Sequence, residues 1–201
     1  MLDARLRRLI DPPLDRLGAF LGRRGIRADA VTLAGFAIGV ASFPALATQS
    51  YAAALALILL NRVMDGLDGA VARHAGATDF GGYLDIVCDF LFYSGVVFFF
   101  AVGRPEQALP AAFLIFSFVG TGSSFLAYAI FAAKRCITTD IRGAKSLYYI
   151  GGLTEGTETI VLFVALCLFP DAFPWLAWGF GALCWITTAA RITAAASTFR
   201  L

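Results

Sequence analysis

The chain has 201 residues, of which 59% are hydrophobic and 15% are charged, and its formal net charge is +2. Its mean hydropathy of +0.77 is high for a soluble domain, so the composition argues against a soluble protein. A helix crosses a bilayer with about 20 apolar residues, so about six spans would occupy nearly the whole chain. We therefore predict an all-α integral membrane protein, a single domain over residues 1–201 with six transmembrane helices. The small net charge gives no indication of a nucleic-acid partner.

Residues 1–28 form a basic arm that does not resemble a secretory signal, because Pro12 and Pro13 interrupt it and no continuous apolar segment follows the first charges. Apolar residues recur in it every three or four positions, at Leu2, Leu6, Ile10, Leu14, Leu17 and Leu21. This period predicts one or two short amphipathic helices at the membrane interface, with arginines toward lipid phosphates. A basic tail that only orients the protein is the alternative.

Six apolar stretches follow the arm, and polar or proline-containing breaks separate several of them. They predict transmembrane helices at residues 31–48, 52–73, 80–103, 107–133, 149–169 and 173–196. Lysines and arginines concentrate in the arm and in the loop after the fourth helix, whereas the connections on the other side contain only Arg104. The positive-inside rule therefore predicts cytoplasmic termini, with the connections after the second and fourth helices on the same side.

The cysteines show no CxxC pairing and mostly lie in apolar stretches, so we interpret them as packing residues: Cys88, Cys136, Cys167 and Cys184. Because His74 is the only histidine, catalysis by this chain would depend on carboxylates and metal ions.

The second and third predicted helices carry four acidic residues, Asp65, Asp68, Asp85 and Asp89. One carboxylate at the centre of a membrane helix costs about 2.5–3.5 kcal/mol, so four need compensation on the order of 10 kcal/mol. Arg62 and Arg73 are only local positive partners. Divalent ions would compensate the remaining charge, because oxygen-rich sites suit Mg²⁺ and Mn²⁺.

Helical spacing places these acids on two faces. At about 100° per residue, one arc of about 100° holds Asn61, Asp65, Asp68, Gly69 and Ala72. A second stripe holds Gly81, Asp85 and Asp89. A short turn makes the two helices antiparallel neighbours, so the stripes are predicted to face each other across a cleft open to the cytoplasm. Gly69 and Ala72 would let a polar ligand approach the backbone, with Arg73 near a diphosphate, or they would simply permit close helix packing.

The pattern Asp65-x-x-Asp68-Gly69-x-x-Ala72-Arg73, followed by Gly81-x-x-x-Asp85-x-x-x-Asp89, resembles the defining motif of the CDP-alcohol phosphatidyltransferase family. The helix pattern and the basic arm extend the resemblance over most of the chain, and residues 25–32 resemble the family's lead-in to its first helix. One departure is the connection between Arg73 and Gly81, which is shorter than the common pattern. A shorter turn can shift the third helix slightly, but it removes no acid.

The resemblance implies site roles. Asp65, Asp68 and Asp85 would bind Mg²⁺ or Mn²⁺, with two ions expected. Asp89 would complete the second ion position and act as the general base. CDP contacts are implied for Gly69, Ala72 and Arg73, with Asn61, Asp29 and Thr32 as further candidates. For Asp29 and Thr32, an N-cap role at the first membrane helix is equally compatible with the sequence.

The implied reaction transfers a phosphatidyl group from CDP-diacylglycerol to a small alcohol and releases CMP. No Ser-His or Cys-His set is apparent, so we expect direct displacement. Basic residues near the cytoplasmic mouth are candidates to bind a phosphorylated acceptor or are simply positive-inside charge: Lys134, Arg135, Arg142, Lys145 and Arg191. Glu155 and Glu158 are expected to face the cavity or these basic residues, and Thr157 and Thr159 stand where the inositol-phosphate branch carries arginine. Homodimers are usual in the family.

Two alternatives come from other functional classes. Membrane carboxylates also mark ion paths, so a cation- or proton-coupled transporter remains open. However, no internal repeat is evident, and the acids lie on two neighbouring helices near one surface. An inactive membrane scaffold is the third interpretation, and retention of the whole acidic motif argues against it.

Overall fold

The computed structural model describes residues 2–137, 154 and 156–199, and it describes side chains from residue 12 onward. The regular structure of these residues is entirely helical, which confirms the predicted all-α class. Two short 3₁₀ turns, Pro105–Gln107 and Pro170–Ala172, precede the fifth and seventh α-helices. The α-helices in chain order are α1 Leu2–Arg23, α2 Ala28–Ala47, α3 Tyr51–Ala75, α4 Asp79–Gly103, α5 Ala108–Lys134, α6 Gly156–Leu168 and α7 Phe173–Phe199.

The six predicted membrane helices correspond to α2 through α7, and most ends agree within about three residues. The predicted start of the fifth helix, residues 149–153, lies outside the described residues. The N-terminal arm is one helix that continues through Pro12 and Pro13.

Three described segments are long and apolar enough to cross a membrane: α2, α4 and residues 105–134. A fourth is added if the bent pair Gly156–Leu168 and Pro170–Phe199 is one span. The charged helix α3 is not among them. A total of six spans, and an interfacial position for α1, therefore stay predictions.

Two compact units divide the chain, and the first comprises residues 1–106 and 163–170. Within it, α2 packs against both α3 and α4, and α1 packs against α3. Small residues on α2 permit this approach: a Cβ at Gly35 would lie 2.8 Å from Met64 Cβ, and one at Gly39 would lie 2.8 Å from the Phe92 ring. Helices α3 and α4 were predicted to be antiparallel neighbours. Each of them packs mainly against α2 instead of against the other.

Two leucines of α1 pack against protein. Leu14 and Leu21 contact a buried cluster formed by Val31, Leu67 and Val71. Gly18 of α1 also approaches α3 so closely that a Cβ there would lie 2.7 Å from the Ala70 carbonyl carbon. Leu14 and Leu21 therefore lie at a helix–helix interface, whereas Leu17 of the same period is 44% exposed.

The second unit comprises residues 107–162 and 171–201, and within its described residues α5 packs against α7. Phe113 of α5 and Trp178 of α7 lie with ring centroids 4.4 Å apart. The cysteine prediction is correct for Cys88, Cys167 and Cys184, which are buried. It is wrong for Cys136, which is exposed just after α5 in a left-handed backbone conformation with φ 51°.

Candidate metal centre and substrate cleft

Three of the four predicted aspartates come together in space. Asp65 and Asp68 extend from α3 and Asp85 extends from α4, and one oxygen from each lies within 4.8 Å of the others. They line a cleft whose remaining walls come from α2, α3 and α4. The residues that line it are Thr32, Gly35, Phe36, Asn61, Arg62, Asp65, Asp68, Asp85, Cys88 and Asp89. The acids of the two predicted stripes therefore line one cleft, and α2 forms a wall that both stripes share.

The short connection from α3 to α4 uses a glycine turn and a side-chain cap. Gly76 ends α3 at φ 100°, a conformation that favours glycine, and its N–H donates to the Ala72 carbonyl. Thr78 then begins α4, where its hydroxyl accepts a 3.0 Å hydrogen bond from the Gly81 N–H. The shorter spacing is therefore compatible with convergence of Asp65, Asp68 and Asp85.

Helix α2 adds a hydroxyl to the acidic cluster. Buried Thr32 donates a 2.6 Å hydrogen bond to Oδ2 of Asp68, which is itself only 7% exposed. The N-cap alternative is wrong, because Arg27 occupies the N-cap of α2 and no side chain bonds there. Asp29 instead pairs with Arg27 at 2.5 Å and lies 3.0 Å from where a Cβ at Gly81 would stand.

Asp89 lines the same cleft but is not one of the three clustered carboxylates. Its Oδ1 accepts a 3.0 Å hydrogen bond from Nη1 of Arg62, and its Oδ2 lies 3.4 Å from the Tyr93 hydroxyl. Arg62 Nη1 also lies 3.6 Å from Asp65. The sequence indicated Arg62 only as a local partner, whereas the structure makes it the cation that contacts the predicted general base.

Asn61 holds Arg62 in this position. Its Oδ1 accepts from Arg62 Nε at 2.8 Å and from Nη2 at 2.6 Å, and its Nδ2 donates to the Gly35 carbonyl at 2.8 Å. The guanidinium also lies over the Phe92 ring, 4.8 Å from its centroid. Asn61 lines the cleft as predicted, but its side chain bonds to protein groups. Its contact with a nucleotide stays a prediction.

Gly69 leaves open space on the acidic face of α3. The nearest described atom to a Cβ placed there is Nη1 of Arg73, at 3.7 Å. Among the described residues, no second helix packs at this point, which favours ligand approach over the helix-packing alternative for Gly69. Ala72, on the same face, is half-buried. These positions remain compatible with approach of a ligand.

Arg73 bonds to the N-terminal arm. Oδ1 of Asp15 accepts from Arg73 Nη2 at 2.5 Å and from Nε at 3.2 Å, and both side chains are about half exposed. This pairing was missed from the sequence because the two residues are 58 positions apart.

The three predicted acceptor residues that the structure describes, Lys134, Arg135 and Arg191, all belong to the second unit. Arg191 is only 7% exposed and donates to the Thr121 carbonyl at 2.9 Å. Arg135 donates to the carbonyls of Thr198 and Phe199 at the end of α7, and Lys134 is exposed. Glu158 is half-buried. Arg142, Lys145 and Glu155 lie outside the described residues.

The three clustered carboxylates fit a hard divalent cation. Mg²⁺ takes oxygen ligands at about 2.0–2.1 Å, so opposite ligands of one ion lie about 4.2 Å apart. The spacing of 4.8 Å or less is close to that value, and small side-chain rotations would close the difference. Carboxylates this close also repel one another, which a divalent ion relieves.

The family model for CDP-alcohol phosphatidyltransferases matches residues 26–194, which include every helix from α2 to α6 and most of α7. The chain belongs to the CDP-alcohol phosphatidyltransferase family. This phosphatidyltransferase is thus a membrane enzyme of the transferase class, which argues against the transporter and scaffold alternatives.

Two curated relatives align along most of the phosphatidyltransferase. Inner membrane protein YnjF of Escherichia coli (strain K12) is 55% identical over 193 residues, which are 96% of this chain and 94% of that protein. Archaetidylinositol phosphate synthase of Pyrococcus horikoshii is 29% identical over 163 residues, 81% of this chain and 80% of the relative. The first name supports a membrane location for the phosphatidyltransferase.

Among solved structures, the phosphatidyltransferase is similar to phosphatidylinositol phosphate synthase (PgsA1) of Mycobacterium tuberculosis. A crystal structure of PgsA1 with CDP-DAG bound gives a TM-score of 0.65 at 21% identity, over 90% of this chain and 92% of PgsA1. The PgsA1 complex with manganese and citrate gives a TM-score of 0.69, also at 21% identity, over 90% of this chain and 87% of PgsA1. At this identity, the likeness shows a shared fold.

Proposed function

We propose that this phosphatidyltransferase moves the phosphatidyl group of CDP-diacylglycerol to the hydroxyl of a small alcohol and releases CMP. The observation that carries this proposal is the convergence of Asp65, Asp68 and Asp85 within 4.8 Å, in a cleft that Asp89 also lines. Family membership supports the reaction class. The PgsA1 complex with CDP-DAG supports the choice of lipid donor, because the two proteins share a fold.

The acidic cluster would hold Mg²⁺ or Mn²⁺, with Asp65, Asp68 and Asp85 as ligands and Asp89 completing a second ion position. When bound, the metal would supply positive charge that neutralises the diphosphate and stabilises the leaving CMP. The manganese in a PgsA1 crystal structure supports a divalent ion in this fold.

The donor would lie along the open face of α3. Gly69 leaves room for CDP, half-buried Ala72 lies on the same face, and the Arg73 guanidinium would bond to a phosphate or to the nucleotide. Thr32, Asn61 and Asp29 would contribute indirectly, because their described contacts are with protein groups. The acyl chains would remain in lipid, since only the head group needs the polar cleft.

Asp89 would act as general base for the acceptor. It would take the hydroxyl proton while the acceptor oxygen attacks the lipid-bearing phosphorus, and the bond from that phosphorus to the CMP oxygen would break. The products are a phosphodiester lipid and CMP. No covalent protein intermediate is needed.

The acceptor would be a small alcohol, and Arg191, which already donates to the Thr121 carbonyl, stays a candidate to bind a phosphorylated one. The Pyrococcus horikoshii relative is named as a synthase of archaetidylinositol phosphate, which supports inositol phosphate as the acceptor. Thr157 and Thr159 argue against that acceptor, because they stand among acids in a region where arginines would suit its phosphate. Lys134, Arg142 and Lys145 remain candidates, whereas Arg135 already bonds to the end of α7.

We further propose a cell-membrane location with both termini and the cleft toward the cytoplasm, six spans, and an interfacial α1. The lysine and arginine distribution supports this orientation. A homodimer is proposed from the family habit alone.

The test is release of labelled CMP from CDP-diacylglycerol by purified protein with Mn²⁺ or Mg²⁺. Parallel reactions would offer serine, inositol, inositol phosphate, glycerol 3-phosphate, choline or phosphatidylglycerol. We expect CMP release with one class of acceptor, its loss in Asp65→Asn, and its retention in Asp79→Asn, a control at an exposed aspartate outside the cleft. Full activity of Asp65→Asn would overturn the proposed metal centre.

A further inference from the structure

Arg62 occupies an unusual position for an arginine in an acidic cleft. Its side chain is only 14% exposed, and its Nη1 contacts Asp89 at 3.0 Å. Nε and Nη2 both bond to Asn61, which is itself fixed to the Gly35 carbonyl of α2. The guanidinium carbon also lies 4.8 Å from the centroid of the Phe92 ring and 5.3 Å from that of the Tyr93 ring. Arg62 is therefore held as a fixed cation facing Asp89.

The four aspartates divide into two sets because of this arginine. Asp65, Asp68 and Asp85 are close enough to share an ion, whereas Asp89 is outside that set and accepts its hydrogen bond from Arg62. The contact from Arg62 to Asp65 is longer, at 3.6 Å, and is not a hydrogen bond. Thus Arg62 interacts most directly with the one acid that the cluster leaves out.

We propose that Arg62 is a positioning residue that competes with a divalent ion for Asp89, so that the centre binds metal in two steps. The first ion binds to Asp65, Asp68 and Asp85. A second ion binds more weakly, because a charge-assisted hydrogen bond from Arg62 already neutralises part of the Asp89 charge. This inference rests on the proposed metal-dependent function and adds the order in which the two ion positions are occupied.

The physical reason is that the guanidinium, bonded to Oδ1 of Asp89, neutralises part of the carboxylate charge and repels a second cation beside it. Arg62 is well placed to compete, because Asn61 and the two rings reduce the conformational freedom that it would otherwise lose on binding. An occupied Arg62–Asp89 pair would also keep Asp89 oriented when only one ion is bound.

The test measures metal binding instead of turnover. Mn²⁺ would be titrated into purified full-length protein, and free Mn²⁺ would be followed by electron paramagnetic resonance. For the native chain we expect two classes of site whose dissociation constants differ at least about tenfold. In Arg62→Met, the weaker class should tighten about tenfold or more, and the tighter class should change less than about threefold. A single class of equivalent sites in the native chain would overturn the proposal without any variant.

Arg62→Lys is the matched control, because it keeps the positive charge but loses the two bonds to Asn61. The proposal expects Arg62→Lys to keep part of the native gap between the two classes, because the charge remains while the two bonds to Asn61 are lost. Equal changes in Arg62→Lys and Arg62→Met would show a merely structural role and overturn it. The variant Asp65→Asn distinguishes failure of the proposed competition by Arg62 from failure of the proposed metal centre. If native binding is unaffected by both Arg62 variants but is lost in Asp65→Asn, only the competition is wrong.

Discussion

The Thr32 hydroxyl of α2 donates a 2.6 Å hydrogen bond to the Asp68 carboxylate of α3. This bond joins a helix that contributes no carboxylate to the three-aspartate cluster with one of the aspartates themselves. Asp68 is buried, whereas Asp65, Asp85 and Asp89 are partly exposed, so the orientation of its Oδ2 depends on a neighbour that can donate.

Replacing Thr32 with valine should weaken metal binding. Valine keeps the shape of threonine but removes the donor, and loss of a bond that orients a metal ligand typically costs 10–100-fold in affinity. We expect the dissociation constant for Mn²⁺ to rise by about tenfold in Thr32→Val. Thr32→Ser keeps the hydroxyl and should bind Mn²⁺ as the native chain does. Native affinity in Thr32→Val would show that the bond has no part in holding Asp68.

Removing Asp15 should impair donor binding with little effect on stability. Both partners of the Asp15–Arg73 pair are about half exposed, so the pair contributes at most about 1 kcal/mol to folding. Arg73 would nevertheless lose the group that fixes its guanidinium. In Asp15→Ala we expect the KM for CDP-diacylglycerol to rise about threefold to tenfold, with kcat nearly unchanged. Asp15→Asn, which keeps a hydrogen-bond acceptor, should give a smaller effect. A fall in kcat at constant KM would contradict this role.

Gly69 and Gly18 should respond differently to the same substitution. A methyl group at Gly69 meets no described atom closer than 3.7 Å, so Gly69→Ala should keep or raise the unfolding temperature while it hinders the donor. Gly18→Ala places a methyl group 2.7 Å from the Ala70 backbone, which should destabilise the protein by about 1–3 kcal/mol. Thermal unfolding in detergent and the KM for CDP-diacylglycerol would separate the two effects. An unchanged KM in Gly69→Ala would argue against ligand approach at this face.

Arg191 provides a test of the acceptor proposal. If it binds a phosphate of the acceptor, Arg191→Met should raise the acceptor KM by about tenfold or more, because a charged hydrogen bond is lost. The KM for CDP-diacylglycerol should change little. Arg135→Met is the comparison, since Arg135 bonds to the last carbonyls of α7 and should affect stability more than acceptor binding. Equal effects of Arg191→Met on both substrates would favour a structural role.

Much of this architecture could be predicted because it depends on local periodicity. Long apolar stretches and polar breaks determine where α2 to α5 begin and end, and steps of three and four residues bring Asp65, Asp68 and Asp85 onto facing sides. The contacts that were missed depend on tertiary packing. Asp15 meets Arg73 only because α1 packs along α3, and Thr32 meets Asp68 only because α2 packs between α3 and α4.

Arg62 is an intermediate case. Arg62 lies three residues before Asp65, a spacing at which two helical side chains can pair. Helical spacing does not determine, however, which of two acids a long side chain contacts. That choice depends on Asn61 and on the Phe92 and Tyr93 rings, and two of these three residues belong to a different helix.

Helix α2 therefore acts as the spacer of the active centre, although it carries none of its acids. The diameter of α2 at Gly35 and Gly39 determines how far apart α3 and α4 stand, and hence the distance between Asp65 and Asp85. A larger side chain at either glycine would change the distances among the proposed metal ligands without replacing any of them. Selection for metal affinity can thus act on positions that never contact the ion.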